Sequence, residues 1–300
     1  MHRPPLPFLL WAAACAGGAP RRAPPTGDTG APATDAPYLG DVPAPDTAAY
    51  DAAAVSAALG EALDAVGTLD PRPALTAYLD ALDRGASAGC PDWFTDGNGQ
   101  PYWAGRCEGA AGTRFEGYGY AATYADQYDG WATLSGVWVY SVAELDGPAG
   151  ALHAAGYGAW AEGPTDDGAY VRAGALERGW SWPGGGPSPA FQFWSADYGA
   201  GALYVNAALR VDLAPGGPIT ALVTDSLTWT NAPGAPCLAE PRGIVSARLT
   251  DGHWVDIAFD GPMWDAPDGT CDGCGRAWVD GVEVAPVCAD AGGLAGLASP

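Results

Sequence analysis

Two kinds of side chain in this sequence could move protons. His253 lies in the segment TDGHWVD, beside Asp251, Trp254 and Asp256. If Asp251 and Gly252 turn a hairpin, His253 opens the return strand within hydrogen-bond reach of Asp251. A carboxylate-oriented imidazole is what general-base catalysis needs. An exposed turn histidine accounts for the same residues without chemistry. The second kind is carboxylate. Glu116, Glu144, Glu162 and Glu177 fall on or near predicted strands, and glycoside hydrolysis needs two facing carboxylates. Any acidic β protein offers such pairs, so no residue is assigned a catalytic role. His153 sits among alanines, in a strand or loop.

Other chemistries lack their residues. There is no HExxH and no lysine for a Schiff base or a phosphate loop. Asp92, Asp96 and Asn98, and again Asp265, Asp268 and Asp272, place oxygens close together. Neither set has the twelve-residue calcium loop with its terminal Glu, and turn preference explains both. No metal and no cofactor is expected.

The aromatic residues are more suggestive. The chain has 13 Trp and 13 Tyr. Trp93, Trp103, Trp180, Trp182 and Trp194, with Tyr118 and Tyr120, fall in polar or Gly-rich surroundings. Flat aromatic faces beside Asp and Asn can hold sugar rings, an apolar surface with a polar handle. The five tryptophans are the binding candidates. The plainer alternative is that they fill a β core otherwise built of Ala and Gly.

Seven cysteines are present, at 15, 90, 107, 237, 271, 274 and 288. Cys90 and Cys107 flank a turn-rich segment and are expected to pair. Cys237, Cys271, Cys274 and Cys288 allow three pairings, of which long-range links from the CDGC pair to Cys237 and to Cys288 are favoured. A Cys271–Cys274 redox bridge lacks the βαβ pattern around it. A zinc site has suitable spacing on one side only.

Cys15 is set apart by what precedes it. MHRPPLPFLLWAAAC has a cationic start, an apolar stretch and small residues before the cysteine, the layout of a secretory signal. The run Ala12-Ala13-Ala14-Cys15 resembles the bacterial lipoprotein signal, in which the cysteine after the cleavage site is acylated. Ala stands where that pattern usually has Leu. The resemblance covers the first fifteen residues and implies firm membrane anchoring by several acyl chains. Ala16, in place of the Asp that retains Gram-negative lipoproteins at the inner membrane, points to the outer membrane or cell surface. The alternative is ordinary cleavage, giving a soluble periplasmic or secreted protein. If Cys15 carries lipid, six cysteines remain, and export supplies the oxidising compartment where disulfides persist.

The net charge of −22 excludes nucleic acid, whose phosphates need clustered cations, as a partner. It equally argues against electrostatic docking on anionic lipid. Membrane contact would come through the lipid, with a glycan or an envelope protein as partner.

The elements that would carry these residues follow from spacing. Residues 15–45 are a lipid-bearing, disordered Pro/Gly/Ala linker after a signal peptide at 1–14. Residues 46–86 form a helical hairpin: Val55, Leu59, Leu63 and Val66 make one apolar stripe, Leu75, Leu79 and Leu82 another. Asp46 or Thr47 is the expected N-cap of the first arm. Residues 87–300 form a disulfide-bonded β domain. Strands are predicted near 114–124, 131–143, 168–182, 190–195, 203–213, 219–229, 244–249, 253–259 and 277–284, with Asp-Gly turns at 129–130, 251–252 and 280–281. The predicted fold is mainly β: an antiparallel β-sandwich, open barrel or β-solenoid preceded by a short helical hairpin. Two functions fit it. One is a surface lipoprotein with a structural or binding role toward glycans or envelope proteins. The other is a secreted polysaccharide hydrolase using a carboxylate pair.

Overall fold

The computed structural model describes residues 50–95, 101–177, 179–188, 190–198, 202–208, 219–230, 237, 240–262 and 269–298. Cys15, the linker, Asp96, Asn98, Asp265, Asp268 and the second half of the predicted 203–213 strand lie outside them. The fold is mainly antiparallel β, with two short helices ahead of the strands.

Helix α1 spans Ala52–Gly67 and α2 spans Arg72–Gly85. Asp51, rather than Asp46 or Thr47, caps α1: its Oδ1 accepts from the amides of Ala53 and Ala54, both at 3.0 Å. Val55, Leu59, Leu63 and Val66 are buried, the stripe that their spacing demands. In α2, Leu75, Tyr78 and Leu82 are buried while Leu79 is half-exposed. Taken together, Ala52–Gly85 has the length and apolarity of a membrane span. The break before Arg72 leaves helices of 16 and 14 residues, each short of the roughly 20 needed to cross a bilayer.

The chain divides into two compact units, one built from residues 70–192 and one from the described residues before 70 and after 192. In the first, strands β1 (Asp92–Thr95), β2 (Pro101–Glu108), β3 (Arg114–Tyr128), β4 (Thr133–Gly147), β5 (Gly150–Pro164) and β6 (Tyr170–Leu176) are hydrogen-bonded in sequence order. Short β7 (Ser181–Trp182) pairs with β5 and with β8 (Gly186–Pro187). Helix α2 covers one sheet face, where Trp103, Phe115, Val139, Leu145 and Leu152 are buried. Gly119 makes this close approach possible: a Cβ there would stand 2.1 Å from the Tyr78 hydroxyl. That hydroxyl accepts from Trp103 Nε1 at 2.8 Å inside the core. Its phenol is pushed up to about 12 by burial.

In the second unit, β9 (Phe191–Asp197), β10 (Ala202–Ala208), β11 (Ile219–Thr230), β12 (Arg242–Leu249), β13 (Trp254–Asp260), β14 (Cys274–Val279) and β15 (Val282–Cys288) again follow sequence order. Val245, Ala247, Val255, Ile257 and Val287 are fully buried. Helix α1 packs in this unit against the 3₁₀ segment Gly292–Ala298. Gly67 meets Gly293 so closely that a Cβ would lie 1.9 Å from its carbonyl oxygen. Within each unit the sheet is an open meander, and neither closes into a barrel.

Several local expectations change. The predicted strand at 277–284 is two strands turned at Asp280-Gly281, with Asp280 at φ 46°. On β11, Val223 is half-buried while its neighbours Leu222 and Thr224 are buried. A register shift between Ile219 and Ala221 flips the alternation, and a second between Asp225 and Thr228 restores it for Leu227 and Trp229. The turn-rich segment between Cys90 and Cys107 holds β1 and β2.

Three disulfides form: Cys90–Cys107, Cys237–Cys271 and Cys274–Cys288. Every cysteine after Cys15 is therefore paired. The last bridge joins direct register partners on β14 and β15. Such bonds are compatible with an exported protein in an oxidising compartment.

Candidate functional site

The sheet face opposite α2 in the first unit carries an aromatic row that crosses five strands. The register aligns Phe94 on β1 with Tyr102 on β2, Tyr120 on β3, Tyr140 on β4 and Tyr157 on β5. Trp138 stands one step along β4, against Tyr120 and Tyr157, with centroids at 4.9 and 5.6 Å. Tyr118 stands one step the other way, 6.2 Å from Tyr140. Within the row, Phe94 and Tyr102 are stacked at 5.7 Å, Tyr102 and Tyr120 are 5.2 Å apart, and Tyr140 and Tyr157 are 4.8 Å apart.

Strand geometry explains the arrangement. Alternate side chains share a face, and strands lie about 4.8 Å apart. One aromatic per strand at the same register level thus makes a ladder with ring contacts at about that spacing. The two flanking levels are mostly small: Ala104, Ala122, Ala155 and Ala159 hold positions there, beside Tyr118, Trp138 and the exposed Val142. Bulky rings therefore stand above a low floor. Tyr120 is buried between its neighbours, Tyr102, Trp138, Tyr140 and Tyr157 are half-exposed, and Phe94 and Tyr118 are exposed.

Beyond Tyr118 the same face turns charged. Arg106, Glu116, Glu144 and His153 are aligned across β2–β5, followed by Glu108, Arg114 and Asp146. Arg106 Nη2 donates to Glu116 Oε1 at 2.5 Å, and His153 Nδ1 lies 3.8 Å from Glu144 Oε1. A shallow depression is lined by Arg106, Glu108, Arg114, Glu116, Glu144 and Asp146. At the far side of the ladder, Glu177 Oε2 accepts from the Tyr157 amide at 3.1 Å. The Tyr140 phenol is raised, first by its hydrogen bond with Tyr118 and then by the nearby Tyr118, Tyr157 and Glu177.

The tryptophans singled out from sequence are dispersed. Trp103 and Trp180 are fully enclosed, so they are core residues and not a binding surface. Trp103 is held by Tyr78, and Trp180 packs 5.8 Å from the same ring. Trp182 is half-buried and folds over the turn at Gly185, and Trp194 is half-buried on β9. Trp93 is 53 % exposed on edge strand β1, on the face opposite the ladder. Tyr102, Trp138, Tyr140 and Tyr157 were not candidates, since no single one stands out from its neighbours in sequence.

The proton-moving candidates separate as well. His253 is buried, not exposed. Its Nδ1 is bonded to Asp280 of the next hairpin, while Asp251 accepts from the His253 backbone amide at 3.0 Å. Asp280 Oδ1 also accepts from the Trp254 amide at 3.1 Å, so this carboxylate joins two turns. Of the four glutamates, Glu116 and Glu144 are direct cross-strand partners. Their side chains are 45 % and 71 % exposed on an open face. Glu162 instead pairs with buried Arg172 at 3.2 Å. Among the described residues, no group of three or more His, Cys, Asp or Glu is arranged to hold a metal ion.

Comparison with protein-family models, curated proteins and solved structures found no match. The function therefore rests on the chain's own geometry.

Proposed function

We propose that this chain is an exported envelope lipoprotein, anchored through Cys15, that binds glycan on the aromatic face of β1–β5. The observation that carries the binding reading is the alignment of Phe94, Tyr102, Tyr120, Tyr140 and Tyr157 at one register level. Aromatic rings present apolar faces to the C–H faces of a sugar, and tyrosine hydroxyls supply polar handles beside them. A ladder with one ring per strand offers repeated contacts to a ligand that is itself a repeat, laid across the strands.

The export reading is supported by two features. The N-terminus resembles a lipoprotein signal, and the other six cysteines form three bridges, leaving Cys15 as the odd one. A membrane anchor also suits a binding protein, since it holds the face near envelope polysaccharide. Outer-membrane placement follows from Ala16 under the same resemblance.

The test is retention of the full-length protein, made soluble by Cys15→Ala, on a glycan array. Retention on at least one polysaccharide class is expected. No retention on any sugar removes the glycan reading.

A further inference from the structure

Charge around the ladder narrows the ligand. Six carboxylates share or border the aromatic face: Asp92, Glu108, Glu116, Glu144, Asp146 and Glu177. Two guanidiniums stand among them. Arg106 is engaged by Glu116, and Arg114 lies in register between Glu108 and Asp146. The surplus is negative even with both arginines counted.

The rings point the same way. A tyrosine or tryptophan face is the negative pole of the ring quadrupole, and a cation within about 6 Å of its centroid is attracted. The two effects act on the same side of the sheet. The protein as a whole carries −22, so its long-range field also draws cations.

We infer that the ladder and its carboxylate border select an amine-bearing, cationic glycan over its neutral counterpart. Sugar rings lie on Tyr140, Tyr157 and Tyr102, while ammonium groups face the rings and the carboxylates of Glu144 and Glu177. This deepens the glycan reading and rests on it.

The experiment uses two probes with one backbone: a β-1,4-linked glucosamine oligomer and the same oligomer fully N-acetylated. Ring, linkage and length are shared, and only the charge differs. Binding to the full-length Cys15→Ala protein is measured by calorimetry at a pH where the amines are protonated. The amine form is expected to bind about tenfold tighter or more, a difference of about 1.4 kcal/mol. That preference should shrink as salt is raised and in Glu144→Gln. Equal or tighter binding of the N-acetylated form overturns the charge assignment while leaving glycan binding in place. Binding of neither form, together with no retention on the wider array, overturns both.

Discussion

Tyr140 and Tyr157 stand directly opposite each other on β4 and β5, their ring centroids 4.8 Å apart and tilted by 49°. This contact links two of the three 15-residue strands of the first unit at the β5 end of the aromatic row. It serves the sheet as well as a ligand, because cross-strand aromatic pairs each contribute about 0.2–1 kcal/mol. The two roles separate by magnitude. Tyr140→Ala should cost about 1–3 kcal/mol, leave the fold intact by circular dichroism, and abolish retention on sugar. Unchanged retention in a folded variant would contradict the assignment of this face.

The core beneath makes a different prediction. Tyr78 is the acceptor for the buried Trp103 Nε1. Tyr78→Phe keeps the ring but strands that donor, which should cost about 1–3 kcal/mol. Urea denaturation reads it directly. A loss below a few tenths of that range would mean that another acceptor replaces the hydroxyl.

The cysteines can be counted chemically. Thiol labelling of denatured, unreduced protein should find none free after Cys15, as all six are bridged. The Cys90–Cys107 bridge spans 17 residues and ties the start of β1 to the end of β2. Loop-closure entropy puts its removal at about 3 kcal/mol. Two or more free thiols in the native chain would refute the pairing.

Glu240 supplies a pH signature. Its carboxyl is buried and accepts from the amides of Asp272 at 2.9 Å, Gly273 at 2.8 Å and Asp260 at 3.3 Å. Burial pushes its pKa above the usual carboxylate value, and the side chain of Asp260 adds to this. An acid raised in the folded state binds its proton more tightly there than in the unfolded chain. Its contribution is therefore full below the unfolded value and is lost as pH rises through the folded one. Comparing wild type with Glu240→Gln from about pH 4 to about pH 7, the wild-type advantage should fall as pH rises. A difference that is flat or grows with pH would contradict this.

Which of these features could be read from sequence depended on how local they are. The stripe Val55, Leu59, Leu63 and Val66 needs only helical periodicity, and it faces the core as spaced. Strands β3 and β4 show alternation and an Asp-Gly turn between them. By contrast, β5 is ALHAAGYGAWAE, where Ala and Gly erase the contrast between faces. The ladder depends on register. Reflecting β3 through the Asp129-Gly130 turn brings Tyr120 near Tyr140, but the bulge between Tyr124 and Gln127 fixes which residue is opposite. A slip of one residue would turn the rings to the other face. Burial inverted the tryptophan argument: Gly-rich surroundings at Trp103 and Trp180 mark tight packing around large core rings, not exposure.

Affinity for glycan of the soluble full-length protein, compared with its Tyr140→Ala/Tyr157→Ala variant, tests the central claim most directly. Each is titrated with the best-retained polysaccharide after thermal melting confirms that both are folded. The account predicts saturable binding by the parent chain and loss of at least about tenfold in affinity in the variant. Equal affinity in the two folded proteins would contradict it.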